Sequence, residues 1–219
     1  GIGRMGQGHL RAFLRYPEAQ VVGVCDVDRW RRENAKETVE QAYADAQASG
    51  QYKGCGAYTD LRDLLARDDI DAVVVATGER WHVPASVLAA KAGKDIYCEK
   101  PMSLTIREAR VMVDVVRRYG RVFQTGLQQR STSEFQRACD LVQKGRIGRV
   151  KIVYVNFPGT SEDVNLSPEP VPEGLDWNAW CGATEPVPFH QDIFIQRSSP
   201  GWISFRPWSG GEMTGTGAH

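Results

Sequence analysis

The chain has no apolar run that approaches the ~18 residues needed for a helical membrane span. It has no excess of either charge, since Lys+Arg and Asp+Glu both total 27 over 219 residues. No basic field therefore draws in nucleic acid or an anionic membrane, and no run of like charge forms an interaction tail. Cysteines are few and unpaired in pattern. Cys25, Cys55, Cys98, Cys139 and Cys181 are odd in number, widely spaced and include no CxxC. A disulfide framework and a metal site are both unexpected on that spacing. Cysteines of this kind suit a reducing compartment, so the expected location is cytoplasmic, with export of a longer parent left open because the chain does not begin with Met. Internal repeats and low-complexity tracts are also missing. What is present is an ordinary globular composition, long enough for one large domain or two modest ones.

Residues 1–126 alternate between two textures. Short β-branched runs occur at 20–25, 71–77, 94–99 and 121–125. Between them lie helical patterns at 6–16, about 28–48, 61–68, 82–93 and 105–119. Thr105 and Glu108 have the spacing of a capping box. The runs are continuously apolar, as strands covered on both faces are, and the rhythm predicts βαβ units around a parallel sheet. From residue 127 the texture changes. A helix is expected at 132–144. In "RVKIVYVNF" (149–157) Val150, Ile152 and Tyr154 fall on one face, which predicts a strand in a sheet with one wetter side. Residues 158–210 hold most of the prolines and four tryptophans, and read as a long irregular excursion.

The opening "GIGRMGQGH" carries Gly1-x-Gly3-x-x-Gly6. Such a turn leads from strand to helix, and here an amphipathic helix follows. Gly1 permits the tight turn, Gly3 lets backbone approach a pyrophosphate, and Gly6 lets helix pack on strand; Arg4 and Met5 lie within the same turn. The helix N-terminus adds N–H donors and a positive dipole end. Asp26 follows Gly6 by 20 residues, at the end of the next strand, where the pattern places an acid for the adenosine ribose. Its charge would repel a 2′-phosphate, so NAD is the expected cofactor. Arg29, Arg31 and Arg32 follow closely and are able to host that phosphate, which keeps NADP as the second choice. The loops "ATGERWH" (76–82) and "EKP" (99–101) leave the C-terminal ends of their strands and face the same crevice. A lysine is most often simply solvated. Lys100, however, follows a buried strand and precedes a stiffening proline, which suits proton transfer in a crevice.

These motifs, with "VCDVD" (24–28), "GLQQRS" (126–131), "LDWNAWCGA" (175–183) and "GGEMTGTGAH" (210–219), resemble the glucose–fructose oxidoreductase/inositol dehydrogenase/rhizopine-catabolism (Gfo/Idh/MocA) family. The resemblance implies an α/β chain. A Rossmann dinucleotide-binding domain at 1–126, lacking its first strand, would be followed at 127–219 by part of an α+β domain with an open, largely antiparallel sheet. The chain would then be a fragment of a homo-oligomeric parent. The resemblance assigns Lys100 and His219 to catalysis. It assigns Thr77, Trp81, His82, Glu99, Lys100 and Gln128 to the cofactor, beside Gly1, Gly3, Arg4, Met5, Gly6 and Asp26. The family's aspartate four residues before the final histidine is Gly215 here, so no carboxylate would share a helix face with His219. The implied activity is hydride transfer between NAD and a hydroxyl-bearing carbon of a sugar or cyclic polyol. Redox-neutral glycoside hydrolysis is the alternative, and nucleotide binding without chemistry the third possibility. Trp177, Trp180, Trp202 and Trp208 suit either a sugar's apolar face or a core.

Overall fold

A computed structural model describes residues 1–157, 159–194 and 201–218. The glycine turn runs directly into α1 (Arg4–Phe13), whose Leu10 packs inward. Next come β1 (Gly23–Cys25) and α2 (Arg29–Ala42); the Asp28 carboxylate accepts from Arg31 N–H and starts that helix. The long helix expected at 28–48 is broken at Tyr43, and a separate short α3 (Ala44–Ala48) follows. β2 (Gly56–Tyr58) and α4 (Leu61–Leu65) come next. β2 had no sequence signal, because three residues that begin with a glycine carry no periodicity. β3 (Ala72–Val75), α5 (Glu79–Lys91), β4 (Asp95–Glu99), α6 (Ile106–Arg118) and β5 (Phe123–Gly126) complete the alternating part. The Thr105–Glu108 capping box is formed in both directions. No helix among the described residues is long and apolar enough to cross a membrane.

Every strand pair is parallel. β1 pairs with β2, and β4 lies between β3 and β5. One core packs α4, α5 and α6 onto the three-stranded sheet around Cys98, Ile96, Ala90 and Met112. A second packs α1 and α2 around Ile2, Val24, Val39 and Tyr52. No ladder joins β1 to β3. Residues from both strands instead line one trench, whose apolar wall includes Leu10, Val22, Val24, Leu64, Val73 and Val75.

The expectation of a largely antiparallel sheet after residue 126 is corrected by the structure. Among the described residues the only sheets are the two parallel ones, both ending by Gly126. The segment 149–157 has no strand pairing. Its alternation is real, but a strand exists only where another backbone accepts its hydrogen bonds, and among the described residues none pairs with it. Val150, Ile152, Val153, Tyr154 and Val155 are accordingly exposed. This part holds short elements instead: a 3-10 turn at Gln128–Ser131, α7 (Ser133–Gln143), α8 (Trp177–Cys181), α9 (Gln191–Phe194), a 3-10 turn at Trp202–Ser204 and α10 (Glu212–Gly215). A third core joins residues of 175–194 to those of 202–208. Trp177 and Trp180 stack at 4.4 Å, and Trp208, wholly buried, meets both edge-on. Three of the four tryptophans thus pack as core.

Candidate functional site

The site starts from the glycine turn. A Cβ on Gly6 would run into the Gly1 carbonyl oxygen, and one on Gly1 would meet Thr77 Cγ2 at 2.9 Å. Both glycines are therefore needed for the turn to press against the 76–78 loop. Gly3 caps α1 without any side-chain bond, and no acidic residue lies in the first turn. No side chain of the cap or acid of the first turn competes with an anion there, as suits a phosphate site. Asp26, buried, receives Ile2 N–H on Oδ2 at 2.5 Å and Asp28 N–H on Oδ1 at 2.9 Å. These bonds fix its carboxylate beside the turn. Each oxygen keeps lone-pair capacity for a ribose hydroxyl.

β4 delivers Glu99 and Lys100 to the same place. Glu99 is buried and accepts from His9 Nε2 at 2.7 Å, with Lys100 N–H on its other oxygen at 3.2 Å. Burial works to raise its pKa, but the bond and charge of His9 and the N–H and charge of Lys100 outweigh it and hold the carboxyl below its ordinary value. Lys100 Nζ donates to the Gly215 carbonyl oxygen in α10 at 2.6 Å. An ammonium and a carboxylate, adjacent in sequence, so stand at one edge of the crevice with different partners.

The first turn of α5 grips four different segments with four consecutive side chains. Glu79 accepts from Ser209 Oγ at 2.7 Å and from Gly210 N–H at 3.1 Å. Arg80 Nε donates to the Trp180 carbonyl at 2.5 Å, with its guanidinium 3.6 Å above the Trp180 ring. Burial pushes the Arg80 pKa down to about 9. Trp81 Nε1 donates to the Ala179 carbonyl at 2.8 Å. His82, 1% exposed, sets its two ring nitrogens against the Pro101 and Thr77 carbonyls at 2.6 and 2.9 Å. Burial lowers the His82 pKa against the pull of those two carbonyls.

A cavity of about 920 Å³ collects most of the residues singled out in the sequence. Gly1, Gly3, Arg4, Met5, Gly6 and Asp26 line one part. Thr77, Trp81, Glu99 and Lys100 line another. His82 and Gln128 are not on its wall. The ring of His82 straps the 76–82 loop to the 99–101 turn. Gln128 begins the 3-10 turn after β5, with Oε1 buried and without a partner among the described residues. His219 lies outside the described residues. Sequence reasoning missed His9 as the partner of Glu99, and missed Glu79, Arg80, Ser209 and the Gly215 carbonyl. His9 was visible as a histidine next to the turn; the others carried no signal beyond their loops. Among the described residues no group of three or more His, Cys, Asp or Glu side chains is arranged to hold a metal ion.

Residues 1–127 match the GFO_IDH_MocA model, an oxidoreductase family with an NAD-binding Rossmann fold. A Shewanella sp. (strain ANA-3) protein called glycosyl hydrolase family 109 protein 2 is 34% identical over 158 residues, which is 72% of this chain and 30% of the relative. Myo-inositol 2-dehydrogenase of Thermotoga maritima is 27% identical over 179 residues, 81% of this chain and 46% of the relative. The crystal structure of scyllo-inositol dehydrogenase from Lactobacillus casei, with bound NAD(H) and scyllo-inositol, superposes with a TM-score of 0.57 at 25% identity. That superposition covers 68% of this chain and 40% of the solved one. The chain thus spans less than half the length of each of these three relatives.

Proposed function

The chain belongs to the Gfo/Idh/MocA oxidoreductase family, with its NAD-binding Rossmann fold, and from that premise we propose that it is the nucleotide-binding part of a dehydrogenase acting on a hydroxyl of a sugar or cyclic polyol. The nucleotide-binding unit is 1–126, and 127–219 belongs to the substrate side. One observation carries the reading: the Gly1–Gly6 turn, Asp26 and Lys100 line a single cavity. The uncapped start of α1 and the glycines that a Cβ would block fit a dinucleotide pyrophosphate.

When bound, the nicotinamide supplies the hydride acceptor. The rest of the chemistry falls to the chain. The α1 amides and Asp26 hold the pyrophosphate and ribose ends. Glu99, kept ionised by His9, orients the turn before Lys100. The ammonium of Lys100 stabilises negative charge that develops on the substrate oxygen and helps move its proton. His219 is the proposed proton acceptor. Homo-oligomer formation belongs to the same proposal, supported by the exposed apolar side chains of 149–157.

The test is direct. The protein is mixed with NAD⁺ and either myo-inositol or scyllo-inositol, and absorbance is followed at 340 nm. Accumulating NADH supports the reading; no binding of NAD⁺ by fluorescence titration overturns it. Redox-neutral glycoside hydrolysis is the second reading, favoured by the 34% identity to the protein named for glycosyl hydrolase family 109. It requires release of nitrophenol from a nitrophenyl glycoside with no net change at 340 nm.

A further inference from the structure

Glu79 is a carboxylate 2% exposed, 130 residues from its partner Ser209. Ser209 Oγ also accepts from Gly211 N–H at 3.0 Å, and Gly211 caps α10. Gly215, at the far end of that helix, accepts from Lys100 Nζ. An unbroken path of hydrogen bonds and one short helix therefore runs from the start of α5, through the 209–211 turn, to the ammonium in the crevice. We propose that Glu79 is a proton-linked latch that positions Lys100: in its neutral form it holds the 209–211 turn, and with it the Gly215 carbonyl, against the ammonium, and it releases them as it ionises. This rests on the reading of Lys100 given above.

The physical case is a balance at one carboxyl. Burial favours the neutral acid. Opposing it are the Ser209 and Gly210 donors and two cations, Lys100 beyond β4 and Arg80 on α5. Burial wins, and the pKa is pushed up to about 7. In the neutral form the contact to Ser209 reverses, the acid proton going to Oγ, while Gly210 N–H stays on the other carboxyl oxygen. The closed latch binds a proton that the open, hydrated carboxylate gives up. Opening therefore becomes easier by about tenfold per pH unit between the ordinary carboxyl pKa and 7, and levels off above that.

The test is amide hydrogen exchange at Gly211 and Gly215 between pH 5 and 8.5, corrected for intrinsic rates. The wild-type chain is expected to lose protection with rising pH up to a break near 7. Glu79→Gln, which copies the neutral acid, is expected to stay flat at the low-pH level. Ser209→Ala keeps the carboxyl but removes a donor that favours its charge, so its break moves to higher pH. Flat wild-type protection, or an unchanged break in either variant, overturns the latch. A second arm follows the pH–rate profile of NAD⁺ reduction with myo-inositol, where a limb breaking near 7 is expected in wild type and missing in Glu79→Gln. Identical profiles in the two proteins overturn the positioning of Lys100. A wild-type chain that turns over no polyol overturns the proposed function while the exchange result still decides the latch.

Discussion

Lys100 Nζ donates to the Gly215 carbonyl oxygen. A carbonyl fixes the direction of an ammonium, and an ammonium at the edge of the crevice stabilises negative charge that develops on a substrate oxygen. Lys100→Ala is therefore expected to bind NAD⁺ within a few-fold of wild type while the rate of hydride transfer drops by about 10²–10⁴; a titration and a stopped-flow trace at 340 nm check the two halves. Asp26 works differently, because its oxygens already brace Ile2 and Asp28. Asp26→Ala is expected to weaken NAD⁺ binding and lower stability together, read by the same titration and by a urea melt. At Glu79 the raised pKa has a definite sign for the whole chain. Its contribution is fully present below the ordinary carboxyl pKa of 4.5 and is lost as pH rises through about 7. Urea melts at pH 5 and pH 8 are expected to show Glu79→Gln losing less stability than wild type over that interval, by at most about 3 kcal/mol.

Elements with a local signature were legible in the sequence. The capping box of α6 is one, since Thr105 and Glu108 satisfy each other's backbone over three residues. Thr105→Ala is expected to cost about 1 kcal/mol in a denaturant melt, with the activity of the site unchanged. The βαβ rhythm was legible for the same reason: β3 and β4 send Val75, Ile96 and Cys98 into the core, and that burial leaves short apolar runs in the sequence. β2 was illegible because its three residues owe their conformation to β1 alongside. The 149–157 segment erred in the opposite direction. Alternation records what a backbone could join, and only a neighbouring backbone makes it a strand.

At the scale of the molecule, the site depends on contacts that no local pattern announces. His9 meets Glu99 across 90 residues, and Lys100 meets Gly215 across 115. Asp26 and the lysine loop were legible because each follows a strand end that the fold must bring to one crevice, and the glycine turn because its spacing opens a helix there. The partners that aim them were not, because side-chain reach is decided only after packing. The two sheets make a prediction of their own. β4 has a neighbour on each side, whereas β1 and β3 each leave one edge unpaired toward the trench. Amides on those edges are expected to exchange well ahead of those of Ile96–Cys98 in an NMR time course. The four grips of residues 79–82 have a consequence for how this sequence can vary in length. An α-helix advances about 100° per residue. Insertion or deletion of a single residue between His82 and Val83 would swing all four side chains by that angle against the rest of α5 at once. Drift in loop length among descendants of this chain should therefore accumulate in 159–174 and stop abruptly at the mouth of α5.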